Sequence, residues 1–269
     1  MPSPVALPAI FALTAFQQVP AAPLQPIGRW VVEYADNTCH VARRFGTPEK
    51  PVQLSLKILP GRGINEIVLN EPVDGKAPMK TGNMIITAVP GGEPMTVSAM
   101  SGSVEPGSRL LFGNLSSDGL AALEQADTIT FAYGGKTISL ATRGLKNALA
   151  ATIACEDDLL RAWGLDAAAY RSIAVRPKST GSPWNWVRSE DYPDVRYGSE
   201  KGGAVGVRLD LDTTGKVKAC TVLTSSTSKE LDEVTCKSVL RRARYTPARS
   251  ADGTPVETFT VLRYRWHRW

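Results

Sequence analysis

The sequence predicts an α+β fold in two parts: a β-rich first domain that ends in a helix, and a smaller second domain in the order strand, strand, helix, strand. Short runs of alternating apolar and polar residues, separated by Gly and Pro, fill most of 23–165. A stretch rich in Pro, Ser and Gly follows at 166–191 and is typical of a linker. The alternation then resumes at 192–269 around one helical segment.

Composition and charge exclude few classes of function. The chain has 269 residues, of which 43% are hydrophobic, and a formal net charge of +5. This length suits one large domain or two small ones. A mildly basic balance is more typical of solvated surface charge than of nucleic-acid binding, so we expect no nucleic-acid partner.

The N-terminal segment is apolar from Val5 to Phe16. It is too short for a membrane-spanning helix, which takes about 20 residues. Val19 and Ala21 fit the small-residue rule for signal-peptide cleavage. The sequence therefore predicts a signal peptide over 1–22, cleaved near Ala21 or Ala22, and a periplasmic mature protein. The alternative is an uncleaved segment that anchors the chain to the inner membrane.

Alternation predicts most strands of the first domain. The ordered domain is expected to begin at Trp30–Tyr34, and strands are expected at Gln53–Ile58, Ile64–Leu69, Met84–Val89, Met95–Ala99, Thr128–Tyr133 and Lys136–Ala141. Gly134-Gly135 joins the last two and indicates a hairpin. A short helix is expected at Asp118–Gln125, with Ser117 as a candidate cap.

One long helix is expected to close the first domain. Leu145, Leu149, Thr152, Leu159 and Trp163 keep helical spacing, and Gly164 is a plausible C-cap. In the linker, Trp184 and Trp186 are expected to dock on a domain surface, with a role in ligand binding as the alternative.

The second domain begins with two strands that form a hairpin. Val205–Leu211 alternates, Thr213–Gly215 forms a turn, and Lys216–Thr224 alternates again. A helix follows and is expected to end at Tyr245-Thr246-Pro247, because the residue before a proline avoids the helical region. Val256–Trp266 is the last strand.

The start of that helix has two candidate caps. Thr227 with Glu230 three residues on fits a capping box, and Ser228 is the rival.

Several short motifs of the second domain resemble the C-terminal domain of the TonB family. They are Tyr192-Pro193, Gly202-Gly203-Ala204-Val205, Asp212-Thr213-Thr214-Gly215-Lys216-Val217, Ser225-Ser226, Leu231-Asp232 and Arg241-Arg242-Ala243-Arg244-Tyr245-Thr246-Pro247-Ala248. They occur in the family's order and spacing, over about a quarter of the chain. The resemblance implies a function in transmembrane transport, with a TonB-box-like peptide of an outer-membrane receptor as the partner.

The resemblance also places the peptide on the last strand. The residues of this chain that correspond to the family's peptide-binding strand are Thr258, Phe259, Thr260, Val261, Leu262, Arg263, Tyr264 and Arg265. An exposed edge offers unpaired N–H and C=O groups that an extended peptide can fill. Side chains such as Phe259, Val261 and Arg263 would shape specificity. The same edge could instead pair with a second copy and form a homodimer.

Two other functions remain open at this stage. One is a structural or adaptor protein of the cell envelope that reuses the fold. The other is an envelope enzyme whose active site lies in Trp30–Gly164, although no set of catalytic residues supports it.

The four cysteines fall two and two between the domains, which in an exported protein indicates two disulfides. We expect Cys39–Cys155 in the first domain and Cys220–Cys236 in the second. Four buried thiols are the alternative. A zinc site is not expected, because there is no C-x-x-C pair and only His40 and His267 could join.

The sequence shows no convincing catalytic, metal or cofactor site. Gly134-Gly135-Lys136-Thr137 lacks the first glycine of a phosphate-binding loop, so the hairpin reading is favoured. Glu156-Asp157-Asp158 is expected on a solvated helix face. Asp210 and Asp212 are expected to face outward from a strand. No G-x-S-x-G motif is present. We therefore expect a binding protein without a cofactor, and no enzyme.

Overall fold

The computed structural model describes residues 22–35, 37–90, 92–193 and 202–266. The predicted signal peptide lies outside the described residues except for Ala22, and His267 lies outside them as well. The α+β fold class is confirmed: one large sheet with two helices is followed by a small sheet with one helix. None of the helices in the described part of the chain combines the length and apolar character that a bilayer crossing requires.

The first domain is built on a nine-stranded antiparallel sheet in the order β1-β2-β3-β4-β7-β6-β5-β8-β9. Its strands are β1 (Pro26–Ala35), β2 (Thr38–Gly46), β3 (Pro51–Ile58), β4 (Ile64–Pro72), β5 (Lys80–Val89), β6 (Met95–Gly102), β7 (Ser108–Ser116), β8 (Thr128–Tyr133) and β9 (Lys136–Ala141). Leu24, just before β1, forms a parallel bridge with Leu140 in β9. The two ends of the strand order therefore meet, and the sheet closes on itself.

Every second residue along these strands points to the inside of the closed sheet, and these apolar side chains form its core. In β3, for example, Val52, Leu54, Leu56 and Ile58 are buried while the residues between them are only partly so. The hairpin at Gly134-Gly135 is as expected, with both glycines at positive φ between β8 and β9.

Two helices complete the first domain, α1 (Ser117–Glu124) and α2 (Leu145–Ala162). Ser116 caps α1, one residue before the expected Ser117, because its hydroxyl accepts from the Gly119 amide at 3.0 Å. The apolar side of α2 packs into the same core as the strands. A disulfide between Cys39 of β2 and Cys155 of α2 joins helix and sheet.

The connecting segment is exposed along most of its length but is hydrogen-bonded to the second domain. It contains α3 (Ala167–Arg171) and two single turns of 3-10 helix, Pro183–Asn185 and Ser189–Asp191. The backbone amide of Val175 donates to the Arg249 carbonyl at 2.9 Å, and that of Thr180 donates to the Arg244 carbonyl at 3.0 Å. The segment 166–191 has the composition of a linker, but it lies along the surface of the second domain as a strap.

The second domain is a three-stranded antiparallel sheet in the order β11-β10-β14, with one helix. Its elements are β10 (Gly203–Leu211), β11 (Val217–Thr224), α4 (Lys229–Arg242), a short pair formed by β12 (Ala248–Arg249) and β13 (Pro255–Val256), and β14 (Thr258–Trp266). The disulfide Cys220–Cys236 joins β11 to α4.

At the start of α4 the structure selects Ser228 from the two candidate caps, and at the other end the helix stops earlier than expected. Ser228 caps the helix, whereas Thr227 adopts a positive φ of 71° and cannot cap it. The Ser228 hydroxyl donates to the Glu230 carboxylate at 2.7 Å. At the other end, Ala243 already has extended backbone angles. The helix therefore stops at Arg242, three residues before Tyr245, because the chain leaves it to form bridges from Arg244 to Lys216 and from Tyr245 to Ser179.

Candidate functional site

β14 forms one edge of the small sheet, and all eight residues expected to bind peptide lie on it. Its register with β10 is regular, from Gly203 opposite Trp266 to Leu211 opposite Thr258. In such a ladder, alternate residues direct their N–H and C=O groups towards the neighbouring strand and the others direct them outward. The side of β14 away from β10 is therefore the only side on which a further strand could add.

The side chains of β14 alternate between two faces of the sheet. Trp266 faces α4, because its indole N–H donates to the Thr235 hydroxyl of that helix at 2.9 Å. With the period of two, Thr258, Thr260, Leu262 and Tyr264 share that face. The remaining four lie on the opposite face: Phe259, Val261, Arg263 and Arg265.

The first domain covers the N-terminal half of the β14 edge. The backbone amide of Val261 donates to the carbonyl of Gly61 at 3.1 Å, and the Thr260 hydroxyl donates to the same carbonyl at 3.0 Å. Gly61 lies in the turn between β3 and β4. The expectation that the whole edge has unpaired donors is therefore wrong at Val261, because the turn occupies the position that an added strand would take.

The face of β14 away from α4 is also partly buried. Phe259 is 4% exposed and Val261 is 2% exposed. The Phe259 ring lies 4.9 Å from the Tyr170 ring and 6.0 Å from the Trp163 ring. Leu160 of α2 completes this cluster. Phe259 and Val261 are thus buried against the first domain. Their expected role in peptide specificity did not take this contact into account.

A charged pair on β10 is part of the same contact. Arg208 places its Nε atom 2.9 Å from Oδ1 of Asp210. Its Nη1 atom also donates to the Trp163 carbonyl at 2.8 Å. Asp210 was expected to face solvent, but the first domain covers its face of the sheet. Asp212 does face outward and accepts from the backbone amides of Thr214 and Lys216 in the following turn.

The C-terminal half of the edge is open. Because the Val261 amide points outward, the alternation places the amides of Arg263 and Arg265 outward as well. Among the described residues, no acceptor forms a hydrogen bond with either backbone amide, and no carboxylate pairs with either guanidinium. Both side chains are exposed. This half of β14 has the free donors and acceptors that strand addition requires.

An aromatic cleft borders the open half on the side of α4. It has a volume of about 300 Å³ and is lined by Trp184, Val187, Arg188, Ser189, Tyr192, Tyr264, Arg265 and Trp266. Trp184 is 72% exposed, although its ring meets the Tyr264 ring at 6.5 Å. Trp186, by contrast, is buried in the core of the second domain. The two tryptophans therefore differ: Trp186 docks as expected, and Trp184 remains available at the surface.

A second cleft, the interdomain cleft, lies on the face of the small sheet away from α4 and extends across β14, β10 and β11. Its volume is about 190 Å³, and Arg263 shares it with Lys57, Arg62, Glu66 and His40. Lys57 and Arg62 both approach the Glu66 carboxylate. Burial lowers the pKa of His40, and the charge of Lys57 lowers it further. Among the described residues that line the cleft, Lys57, Arg62 and Arg263 outnumber the single carboxylate of Glu66, so these side chains give it a net positive charge.

The other candidate residues do not assemble a reaction centre. The cysteines are joined in the two expected pairs. Glu156 is not on a solvated face: its side chain is 17% exposed, lies 3.9 Å from Arg171, and burial raises its pKa. Asp158 is exposed, as expected. Among the described residues, no group of His, Cys, Asp and Glu side chains could hold a metal ion.

Comparison with known families supports the likeness of the second domain. Residues 189–267 match the family described as Gram-negative bacterial TonB protein C-terminal. No curated protein and no solved structure matches the chain. The family is an envelope-associated transport domain without enzymatic activity. The matched range contains α4, the three-stranded sheet and the whole edge strand β14. Residues 189–267 are therefore similar in sequence to the TonB C-terminal family.

Proposed function

We propose that this chain is a periplasmic protein of TonB-dependent transport whose second domain binds an extended peptide of an outer-membrane transporter. The observation that carries the proposal is the open half of β14. Arg263 and Arg265 present outward backbone groups with no partner among the described residues. An extended peptide would pair with these groups and extend the sheet to four strands.

The first domain limits where the peptide can add. Since Gly61 occupies the edge at Val261, we assign the peptide to Leu262–Trp266 instead of the whole of Thr258–Arg265. Strand residues rise by about 3.4 Å each, so this segment pairs with about five peptide residues. A short peptide is therefore the expected ligand.

A matched pair of variants at Arg263 tests strand addition. Because the Arg263 amide points away from β10, Arg263→Pro removes an outward donor without breaking the ladder to β10. Arg263→Gln keeps the amide and removes the charge. We expect Arg263→Pro to abolish binding of box peptides from several receptors to the full chain, measured by fluorescence anisotropy, and Arg263→Gln to retain it.

Two results would overturn the proposal. One is equal binding by Arg263→Pro and wild type, with both shown by circular dichroism to be folded. The other is failure of all box peptides to bind wild type that sedimentation shows to be monomeric.

The alternative is a structural or adaptor protein of the envelope. One observation favours it: the first domain already occupies half of the edge, so the fold of the second domain serves to hold the two domains together. A homodimer through the open half of β14 would have the same consequence. Concentration-dependent sedimentation, with Arg263→Pro as the disrupting variant, distinguishes the dimer from peptide binding.

A further inference from the structure

We propose that the peptide bound at β14 is acidic on one side and apolar on the other. This inference rests on the proposed function and specifies the chemistry of its ligand. In an added strand, each side chain lies on the same face as the β14 residue opposite to it. Alternate side chains of the peptide would therefore point to opposite faces of the sheet, one set towards the aromatic cleft and the other towards the face that carries Arg263 and Arg265.

The face away from α4 is suited to carboxylates. Arg263 and Arg265 lie two positions apart on that face, and no carboxylate of the described residues pairs with either. Lys57 and Arg62 line the interdomain cleft together with Arg263, and among the described residues Glu66 is the one acidic side chain that lines it. Peptide residues opposite Arg263 and Arg265 would gain charge-assisted hydrogen bonds if they were Asp or Glu.

The face towards α4 is suited to an apolar side chain. The residue opposite Tyr264 would point into the aromatic cleft, where Trp184, Tyr192 and Trp266 supply ring surface. Tyr264 itself is held in place, because its hydroxyl donates to the Pro183 carbonyl at 3.1 Å. Trp184 is the exposed aromatic residue among those that line this cleft and would cover the incoming side chain.

The test uses three labelled pentapeptides on the full chain: Val-Glu-Val-Glu-Val, its Val-Gln-Val-Gln-Val isostere and the Val-Lys-Val-Lys-Val counterpart. In register with Leu262–Trp266, the second and fourth peptide residues lie opposite Arg263 and Arg265. We expect the Glu peptide to bind about tenfold more tightly than the Gln peptide, from two exposed charge contacts, and the Lys peptide to bind most weakly. The preference for Glu should shrink when salt is raised, because exposed charges are screened.

Variants assign the preference to the named residues. Arg263→Gln combined with Arg265→Gln should remove the preference for Glu over Gln and leave the Gln peptide's affinity unchanged. Lys237→Gln removes a charge from the exposed side of α4 and should preserve the preference. Trp184→Ala should weaken the Glu and Gln peptides by the same factor, since it acts on the valine side.

The outcomes separate this inference from the function on which it rests. Equal affinity for the Glu and Gln peptides in wild type would overturn the acidic ligand while leaving strand addition intact. A preference for Glu that survives the double arginine variant would also overturn it. If none of the three peptides binds and box peptides fail as well, the proposed function falls, and the inference falls with it.

Discussion

The carbonyl oxygen of Gly61 lies 3.1 Å from the backbone nitrogen of Val261, so a turn of the first domain takes one place on the edge strand of the second. The Gly61 amide is held in turn by the Tyr170 hydroxyl at 2.8 Å. Tyr170 also packs on Phe259. One glycine thus connects the turn, the segment between the domains and the edge strand.

Gly61→Ala should separate the domains. A Cβ atom at Gly61 would stand 2.2 Å from the Phe259 ring, which is far inside contact distance. Gly61 also has a positive φ of 78°, which disfavours alanine. Gly63→Ala is the matched control: its φ is 66°, but nothing lies within 4 Å of the added atom. Both variants pay for backbone strain, and only Gly61→Ala also meets a clash.

Limited proteolysis measures the result. We expect faster cleavage within 166–191 for Gly61→Ala than for Gly63→Ala or wild type, because the strap loses support when the domains part. Two folded fragments should follow and would support the domain boundaries expected from the sequence. Identical digestion of the two variants would contradict a docking role for Gly61.

Local pattern predicted the elements of this chain better than their arrangement. β8 and β9 occupy the expected residues, because alternation and Gly134-Gly135 specify a hairpin within a few positions. β7 was missed, and so was the pairing of β4 with β7, which joins residues far apart in sequence. Nothing in a local period indicates which distant strand becomes a neighbour.

The same limit applies to the candidate site. The position of β14 followed from the motifs around it, but its partial occlusion did not. A buried strand residue such as Phe259 has the same signature whether it faces its own core or another domain. The expectation that Glu156 lies on a solvated face fails for a related reason. Its partner Arg171 lies outside α2, so the apolar spacing within α2 gives no sign of this contact.

Asp191→Asn should destabilise the second domain. The hydrogen bond from Arg242 holds the pKa of Asp191 well below its usual range, and the Asp191 side chain is almost fully buried between Arg242 and Arg241. Loss of a hydrogen bond to a charged group costs about 2 kcal/mol. Glu190→Gln removes a carboxylate from an exposed pair with Arg188 and should change the free energy of unfolding by less than about 0.5 kcal/mol.

The pH dependence of this pair has a definite sign. Because the pKa of Asp191 is lower in the folded state, its contribution is complete above the unfolded value of about 3.9 and is lost as the pH falls towards the folded pKa. Urea unfolding of wild type should therefore show a loss of stability below about pH 4 that is smaller in Asp191→Asn. Parallel curves for the two proteins would show that Asp191 is not the group responsible.

Removing the two disulfides should cost different amounts of stability. Cys220 and Cys236 are separated by 16 residues and Cys39 and Cys155 by 116. In the chain-entropy model the shorter loop contributes about 3 kcal/mol and the longer one between about 4 and 5 kcal/mol. Double alanine variants of each pair, compared by urea unfolding under oxidising conditions, should follow this order. The reverse order would mean that the loops do not control the effect.

The disulfides also bear on where the protein works. Bonds of this kind persist in an oxidising compartment such as the bacterial periplasm, which is where a cleaved signal peptide would deliver the chain. We expect protein recovered from that compartment to begin near Ala22 or Pro23 by N-terminal sequencing. Non-reducing mass mapping of the same sample should show Cys39 joined to Cys155 and Cys220 joined to Cys236. Protein recovered from the inner membrane with Met1 intact would support an anchored form instead. Free thiols in either sample would contradict the oxidised state.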